Sequence, residues 1–312
     1  MAHRKVLAAA VLAAPLFLLS CLDMRPLGTV TTDGAGGARG AGTRNVDAGT
    51  DAAGDGAPTS TPIRVLVWNN GLVYGHASRA LAIPYFKARE ATDGISFDTT
   101  YAHTGTTYQE GPPDTTFDAS VFTDQGLDKY DVVMFLNTTG NTIDDAMMSV
   151  RRQALQDFIE KKGRGFVGLH SATDTYQKDA WPWYVDFIGA NYDSHTMYGT
   201  PGTAKYFQKM THPILDASAI PPAWTRSEEW FVFTRDPLFS PIPGVTMLLT
   251  CHDQLNATER PSAWVHEMPP PADAATGGRM FYTAFGHLTS AFEEPLVMDF
   301  IIAGIKWAAG RL

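Results

Sequence analysis

From residue 62 onward, apolar residues fall into two rhythms. Ile63–Trp68, Asp131-Val-Val-Met-Phe-Leu136 and Gly165-Phe-Val-Gly-Leu169 are nearly continuous apolar runs. Such runs mark strands buried on both faces of a parallel sheet. Ile95–Tyr101 alternates like a further strand. Ser78–Ala91 and Asp144–Lys162 carry apolar residues at helical spacing, with Pro84 near the first turn of one and Gly163 closing the other as a C-cap. The alternation predicts an open, mostly parallel α/β sheet wound through right-handed crossovers. The second half changes character. Short aromatic or β-branched runs at Ala204–Met210, Trp230–Phe233, Val245–Cys251, Ala263–Met268 and Arg279–Phe285 are separated by Pro and Gly. They predict added antiparallel or edge strands. Pro295–Ala309, apolar nearly all round, predicts a last helix docked on the core.

Residues 1–61 follow neither rhythm. Arg4 and Lys5 precede the apolar run Val6–Leu19, which is too short for an ordinary membrane span and flanked like an export signal. The run ends Leu18-Leu19-Ser20-Cys21, which resembles the lipobox of bacterial lipoproteins. That resemblance implies cleavage before Cys21 and lipidation of its thiol. Leu22, where Asp would retain the protein at the inner membrane, implies the outer membrane if the host has two. Gly28–Ser60 holds Gly, Ala, Thr and Asp with no aromatic residue, so it cannot bury enough surface to offset its ordering entropy. The expected organisation is a signal peptide over 1–20, a lipidated cysteine and flexible linker over 21–61, and one domain over 62–312. Membrane contact is then through the lipid anchor alone.

Composition narrows the function classes. The 312 residues carry a formal charge of −9, which loss of Arg4 and Lys5 with the signal would bring to −11. This balance argues against a nucleic-acid partner, which requires a basic surface for phosphates. Two cysteines, Cys21 and Cys251, exclude a disulfide framework and a cysteine-rich zinc site.

In open α/β sheets ligands bind beyond the carboxyl ends of the strands. Three such ends here are polar or histidine-bearing: Trp68-Asn69-Asn70-Gly71 running on to Tyr74-Gly75-His76, then Asn137-Thr138-Thr139-Gly140, then His170-Ser171-Ala172-Thr173-Asp174. Gly168-Leu169-His170-Ser171-Ala172 has the form of a nucleophile elbow with histidine at its centre, so a cysteine nucleophile is excluded there.

Several motifs in order give the domain a family resemblance. Asp131–Gly140, Gly165–Asp174, Trp181-Pro-Trp-Tyr184, Ser194-His195, His212-Pro213, Glu228-Glu229-Trp230, Thr283-Ala-Phe-Gly-His287 and Gly304-Ile-Lys-Trp-Ala308 resemble the ThuA-like, or trehalose-utilisation, family over residues 63–310. The resemblance implies a flavodoxin-like layered sheet similar to class I glutamine amidotransferases, and a role in breakdown of trehalose and related glycosides. Glu228 stands where the family usually has Asp, and the loop Thr196–Gly202 is irregular.

The candidate catalytic residues are His76, His170, His195, His287 and Glu229. Imidazoles and carboxylates serve general acid–base chemistry or a divalent metal of the Zn, Mn or Ni type, although no close His pair specifies a metal by spacing. The candidate substrate contacts are Asn69, Tyr74, Thr138, Thr139, Ser171, Asp174, Trp183 and Trp230, with the aromatics as a platform for a small carbohydrate. The expectation is an exported, lipid-anchored protein acting on a glycoside or oxidised sugar. The alternative is a non-catalytic carbohydrate-binding protein on the same scaffold.

Overall fold

The computed structural model describes residues 61–312, apart from 105–109, 178–179, 254–258, 271 and 273–276. The signal peptide, Cys21 and nearly all of the linker lie outside the described residues. Among the described residues no helix is long and apolar enough to cross a membrane.

The strands are β1 Ile63–Trp68, β2 Ile95–Asp98, β3 Val132–Leu136, β4 Gly165–Leu169, β5 Asn191–His195, β6 Thr200–Tyr206, β7 Ala223–Glu228, β8 Phe231–Arg235, β9 Val245–Asp253, β10 Glu259–Glu267 and β11 Arg279–Thr283. The helices are α1 Ser78–Leu81, α2 Ile83–Ala88, α3 Glu90–Asp93, α4 Asp124–Leu127, α5 Met148–Glu160, α6 Pro182–Ile188, α7 Pro213–Ser218, α8 Ser290–Glu293 and α9 Pro295–Ala308. A nine-stranded sheet has the order β2-β1-β3-β4-β11-β10-β9-β6-β7, and β5 pairs with β8 in a separate ribbon. From β2 to β11 neighbouring strands are parallel. From β11 to β7 they are antiparallel.

The continuous apolar strands serve two cores at once, because successive side chains point to opposite faces. Val65 and Val67 of β1 face one core, with Phe86 of α2 and Phe300 of α9. Leu66 and Trp68 face the other, with Phe158 of α5 and Tyr184 of α6. A Cβ on Gly304 of α9 would overlap the Phe281 ring of β11, so the glycine sets how closely helix and sheet approach.

Four expectations need correction. Ser78–Ala91 is not one helix: the chain restarts at Ala82, because Pro84 in the first turn of α2 has no N–H for a continuing ladder. α5 begins at Met148, not Asp144; Asp144 and Asp145 instead lie outside the helix and pair with Arg152 and Arg151. The run around β11 is not an edge strand: it lies in the middle of the sheet, parallel to β4 on one side and antiparallel to β10 on the other. The polar strands β5 and β7 carry no apolar run and escape the sequence pattern; β7 is held at the sheet edge by β6.

Candidate metal centre

The parallel strands deliver three histidines to one edge of the sheet. His76 lies between β1 and α1, His170 directly follows β4, and His287 follows β11. His170 turns through the left-handed region at φ 49°, as does Asn137 after β3 at φ 52°. Such backbone is costly for a non-glycine residue and persists where neighbours hold it. Here the Tyr282 hydroxyl donates to the His170 carbonyl at 2.7 Å. Glu229 comes from the connection between β7 and β8, the far side of the antiparallel half.

His76, His170, His287 and Glu229 are all buried, and one ligating atom from each lies within 4.8 Å of the other three. Glu229 Oε2 is 3.2 Å from His170 Nε2 and 3.2 Å from His287 Nδ1. Apart from this carboxylate neither nitrogen has a hydrogen-bond partner among the described residues, although both are fully enclosed. His170 Nδ1 lies 2.9 Å from the Ala284 carbonyl oxygen, which can only accept. Nδ1 therefore carries a proton, and Nε2 is the nitrogen turned into the cluster toward Glu229. His76 Nδ1 is 3.3 Å from Ser171 Oγ.

The electrostatics fit that arrangement. Burial, together with His170 and His287, drives the His76 imidazole well below its ordinary value, so it is neutral at pH 7. Burial alone would raise the Glu229 carboxyl, but His170 and His287 outweigh it and hold the group well below the carboxylate range. Burial would lower His287, and Glu229 reverses the sign and raises it. Three buried imidazoles around an ionised carboxylate, two of their nitrogens with no near partner but that carboxylate, form a donor set suited to a divalent transition ion.

Around the cluster the site becomes accessible. His195 at the end of β5 places Nδ1 3.0 Å from Glu229 Oε1 and 2.7 Å from the Thr196 carbonyl, with 42 % of its side chain exposed. Its ring lies nearly parallel to Tyr192, centroids 6.0 Å apart. Tyr74 meets His76 edge to face at 4.9 Å. Tyr198 stacks on His287 at 5.5 Å and 13°, while remaining 63 % exposed. A cleft of about 590 Å³, lined by Leu72, Val73, Asn141, Asp174, Tyr192 and Asp193 among others, shares Tyr192 with this edge. Burial pushes the Asp174 carboxyl up to about 6, against the opposing pull of Gln177, His170 and His195.

The remaining candidates are placed differently. Asn69 is buried and donates to the Arg79 and His103 carbonyls, so it ties loops together. Thr138 is buried against Thr175, hydroxyls 2.8 Å apart. Thr139 Oγ1 accepts from the Val73 and Tyr74 N–H groups and donates to the Tyr74 carbonyl, which fixes the loop ahead of His76. Ser171 supports His76. The expected aromatic platform is corrected. Trp183 donates to Glu160 and stacks on Phe187. Trp230 is 1 % exposed, donates to the Thr200 carbonyl and packs on Phe285. Both indoles are engaged in packing: half-buried Trp183 on Phe187 of α6, and buried Trp230 on Phe285 in the loop after β11. His212 caps α7, its Nδ1 accepting from the Ile214 N–H.

Three site residues escaped the sequence reading. Asn137 lies in the polar end of β3, where its type alone marks no role; its Nδ2 donates to Ser78 Oγ and the Gly286 carbonyl. Glu228 was noted only for its departure from the family pattern. Tyr198 lies in the irregular loop, and no local pattern marks it.

Comparison with known proteins agrees with this architecture. The chain is similar to the crystal structure of a ThuA-like protein from Bacteroides uniformis ATCC 8492, with TM-score 0.58 and 21 % identity over 83 % of this chain and 95 % of that one. A ThuA-like protein from Parabacteroides merdae ATCC 43184 matches with TM-score 0.56 and 14 % identity over 80 % and 90 %. The glutaminase domain of Trypanosoma brucei CTPS aligns with TM-score 0.44 and 8 % identity over 80 % and 94 %. No curated protein matches. The ThuA family profile, described as trehalose utilisation, matches residues 64–308, and the chain belongs to the ThuA family.

Proposed function

We propose that this protein acts on a trehalose-type glycoside or an oxidised sugar derived from it, at a divalent-metal centre held by His76, His170, His287 and Glu229. The observation that carries the reading is the convergence of two buried imidazole nitrogens, His170 Nε2 and His287 Nδ1, on one carboxylate oxygen, with no other partner for either. Family membership supports a role in trehalose utilisation. A divalent ion of the Zn, Mn or Ni class would supply Lewis-acid polarisation of a sugar hydroxyl or carbonyl oxygen.

The chain's own residues divide the remaining work. The Ala284 carbonyl fixes the His170 tautomer, and Ser171 steadies His76. His195 is the half-exposed imidazole on Glu229, so it can exchange protons with solvent and pass them to substrate. Tyr74 and Tyr198 offer aromatic faces beside the cluster for the C–H face of a pyranose. Asp174 and Asp193 offer the neighbouring cleft acceptors for sugar hydroxyls.

The test is metal analysis of purified protein, followed by assay of trehalose and its keto derivatives with each metal. His170→Asn is the informative variant, because Asn tolerates the left-handed backbone at this position. We expect the variant to fold, to lose bound metal and to lose turnover by at least about 100-fold. Full activity in the variant would sink the site assignment. Sugar binding without product across the panel would favour a carbohydrate-binding protein instead.

The amino-terminal features support a second part of the proposal, export and anchoring by a lipid on Cys21. Full-length protein should partition into detergent, and Cys21→Ala should remain aqueous. Aqueous partition of both would overturn the anchor.

A further inference from the structure

Glu228 is fully buried beside a cluster ligand, and its carboxylate is fully engaged. Oε1 accepts from the backbone N–H groups of Glu229 at 3.1 Å and His287 at 3.2 Å. Oε2 accepts from the Gly286 N–H at 3.1 Å and from Arg226 Nη1 at 2.8 Å. A buried carboxylate is costly unless it is paired and hydrogen-bonded, and this one is both. Arg226 is itself held, pairing with Glu294 at 3.3 Å and lying over the Phe285 ring at 4.5 Å.

The carboxylate joins segments from the two halves of the sheet. One is the β7–β8 connection that carries Glu229, and the other is the loop after parallel β11 that carries His287. The Gly286 peptide is gripped from its other side as well. Its carbonyl accepts from Asn137 Nδ2 at 2.8 Å and from Ser78 Oγ at 2.9 Å, and Ser78 lies two residues after His76. Gly286 adopts φ 125°, a conformation that side-chain-bearing residues rarely take, so the path of this loop calls for glycine here. The brace therefore runs from Glu229 through Glu228 and Gly286 to His287, and on through Ser78 toward His76.

We propose that Glu228 is a positioning residue: through the Gly286 and His287 peptides it sets the spacing between Glu229 and His287, and with it the affinity and coordination geometry of the centre. This rests on the metal-centre reading above. An Asp at this position would shorten the arm by one C–C bond, about 1.5 Å, and could not keep all four contacts in this backbone.

The test uses the full chain with Zn²⁺ in chelator competition and Co²⁺ as a spectroscopic probe. Glu228→Gln keeps the size, but its amide NH₂ faces N–H donors on one side. We expect Zn²⁺ affinity to fall about 10–100-fold, the usual effect of losing an outer-shell support. We also expect a changed Co²⁺ absorption band. Glu228→Asp, which retains the charge, should fold and give an intermediate affinity; it decides the matter if Glu228→Gln fails to fold. Affinity within twofold of wild type with an unchanged Co²⁺ spectrum overturns the proposal. If wild type takes up no metal, the metal-centre reading fails, and imidazole NMR of the metal-free protein still decides the role of Glu228. His287 signals should then move in the variants while those of His170 stay, and an unmoved His287 overturns the proposal.

Discussion

His195 Nδ1 lies 3.0 Å from Glu229 Oε1, the carboxylate oxygen that the buried histidines leave open. One carboxylate thus meets two enclosed imidazoles on one oxygen and an accessible imidazole on the other. That division separates holding an ion from moving a proton. His195→Ala should keep the metal stoichiometry of wild type while lowering turnover by about 100-fold or more, the usual contribution of a general acid or base. Equal loss of metal in His195→Ala and His170→Asn would place His195 among the ligands instead.

Asp174 makes a pH-dependent contribution whose sign is set by its environment. Its carboxyl stands at about 6 in the folded protein, against about 3.9 in an unfolded chain. Between those values the folded state binds more protons, so stability falls as pH rises and the cost is complete above about pH 6. Asp174→Asn removes that cost and still accepts from Gln177. The variant should melt about 2–4 °C higher than wild type at pH 8, the shift that ~1 kcal/mol gives a domain of this size. The gain should shrink toward pH 5. Glu229 has the opposite sign: its lowered carboxyl stabilises the fold above its unfolded value near 4.3 and loses that effect as pH falls further. Thermal melts of metal-free protein across this range check both directions, and a pH-independent Asp174→Asn gain would contradict the assignment.

The aromatic roles can be separated by two substitutions. Tyr198→Ala removes an exposed ring stacked on His287, so sugar binding should weaken about threefold to tenfold, equivalent to about 0.5–1.5 kcal/mol, with the melting temperature unchanged. Trp183→Ala removes a hydrogen bond to Glu160 and packing on Phe187, so the melting temperature should fall and sugar affinity should hold. Calorimetry beside thermal melts distinguishes the two; the reverse pattern would restore Trp183 as the platform.

Gly304→Ala tests the packing of α9 on the sheet. The added methyl meets the buried Phe281 ring, and overpacking of this kind costs about 1–3 kcal/mol. Chemical denaturation should show that loss with the metal content unaltered.

The candidate site was legible where chemistry follows directly from a strand. His76, His170 and His287 each come after a strand whose apolar run, or following Gly-His turn, is visible in the sequence. Parallel strands must end at the same edge, so recognising β1 and β4 was enough to bring His76 and His170 together; His287 joins them because β11 pairs parallel with β4. Glu229 and His195 also stood among the candidates, but their meeting depends on the β5–β8 ribbon, whose polar β5 has no apolar rhythm.

By itself, the sequence determined the α/β class, the buried parallel strands and the reactive residue types at their ends. Burial on two faces demands unbroken apolar runs, and a strand's end is a local property. Tertiary structure decided the rest. It placed β11 beside β4, turned Nε2 of His170 inward by engaging Nδ1 with the Ala284 carbonyl, and gave Glu228 its four donors. It also covered Trp230 and laid Trp183 against Phe187 while leaving Tyr198 exposed. Each of these depends on which distant segment lies opposite a side chain, and no local spacing encodes that.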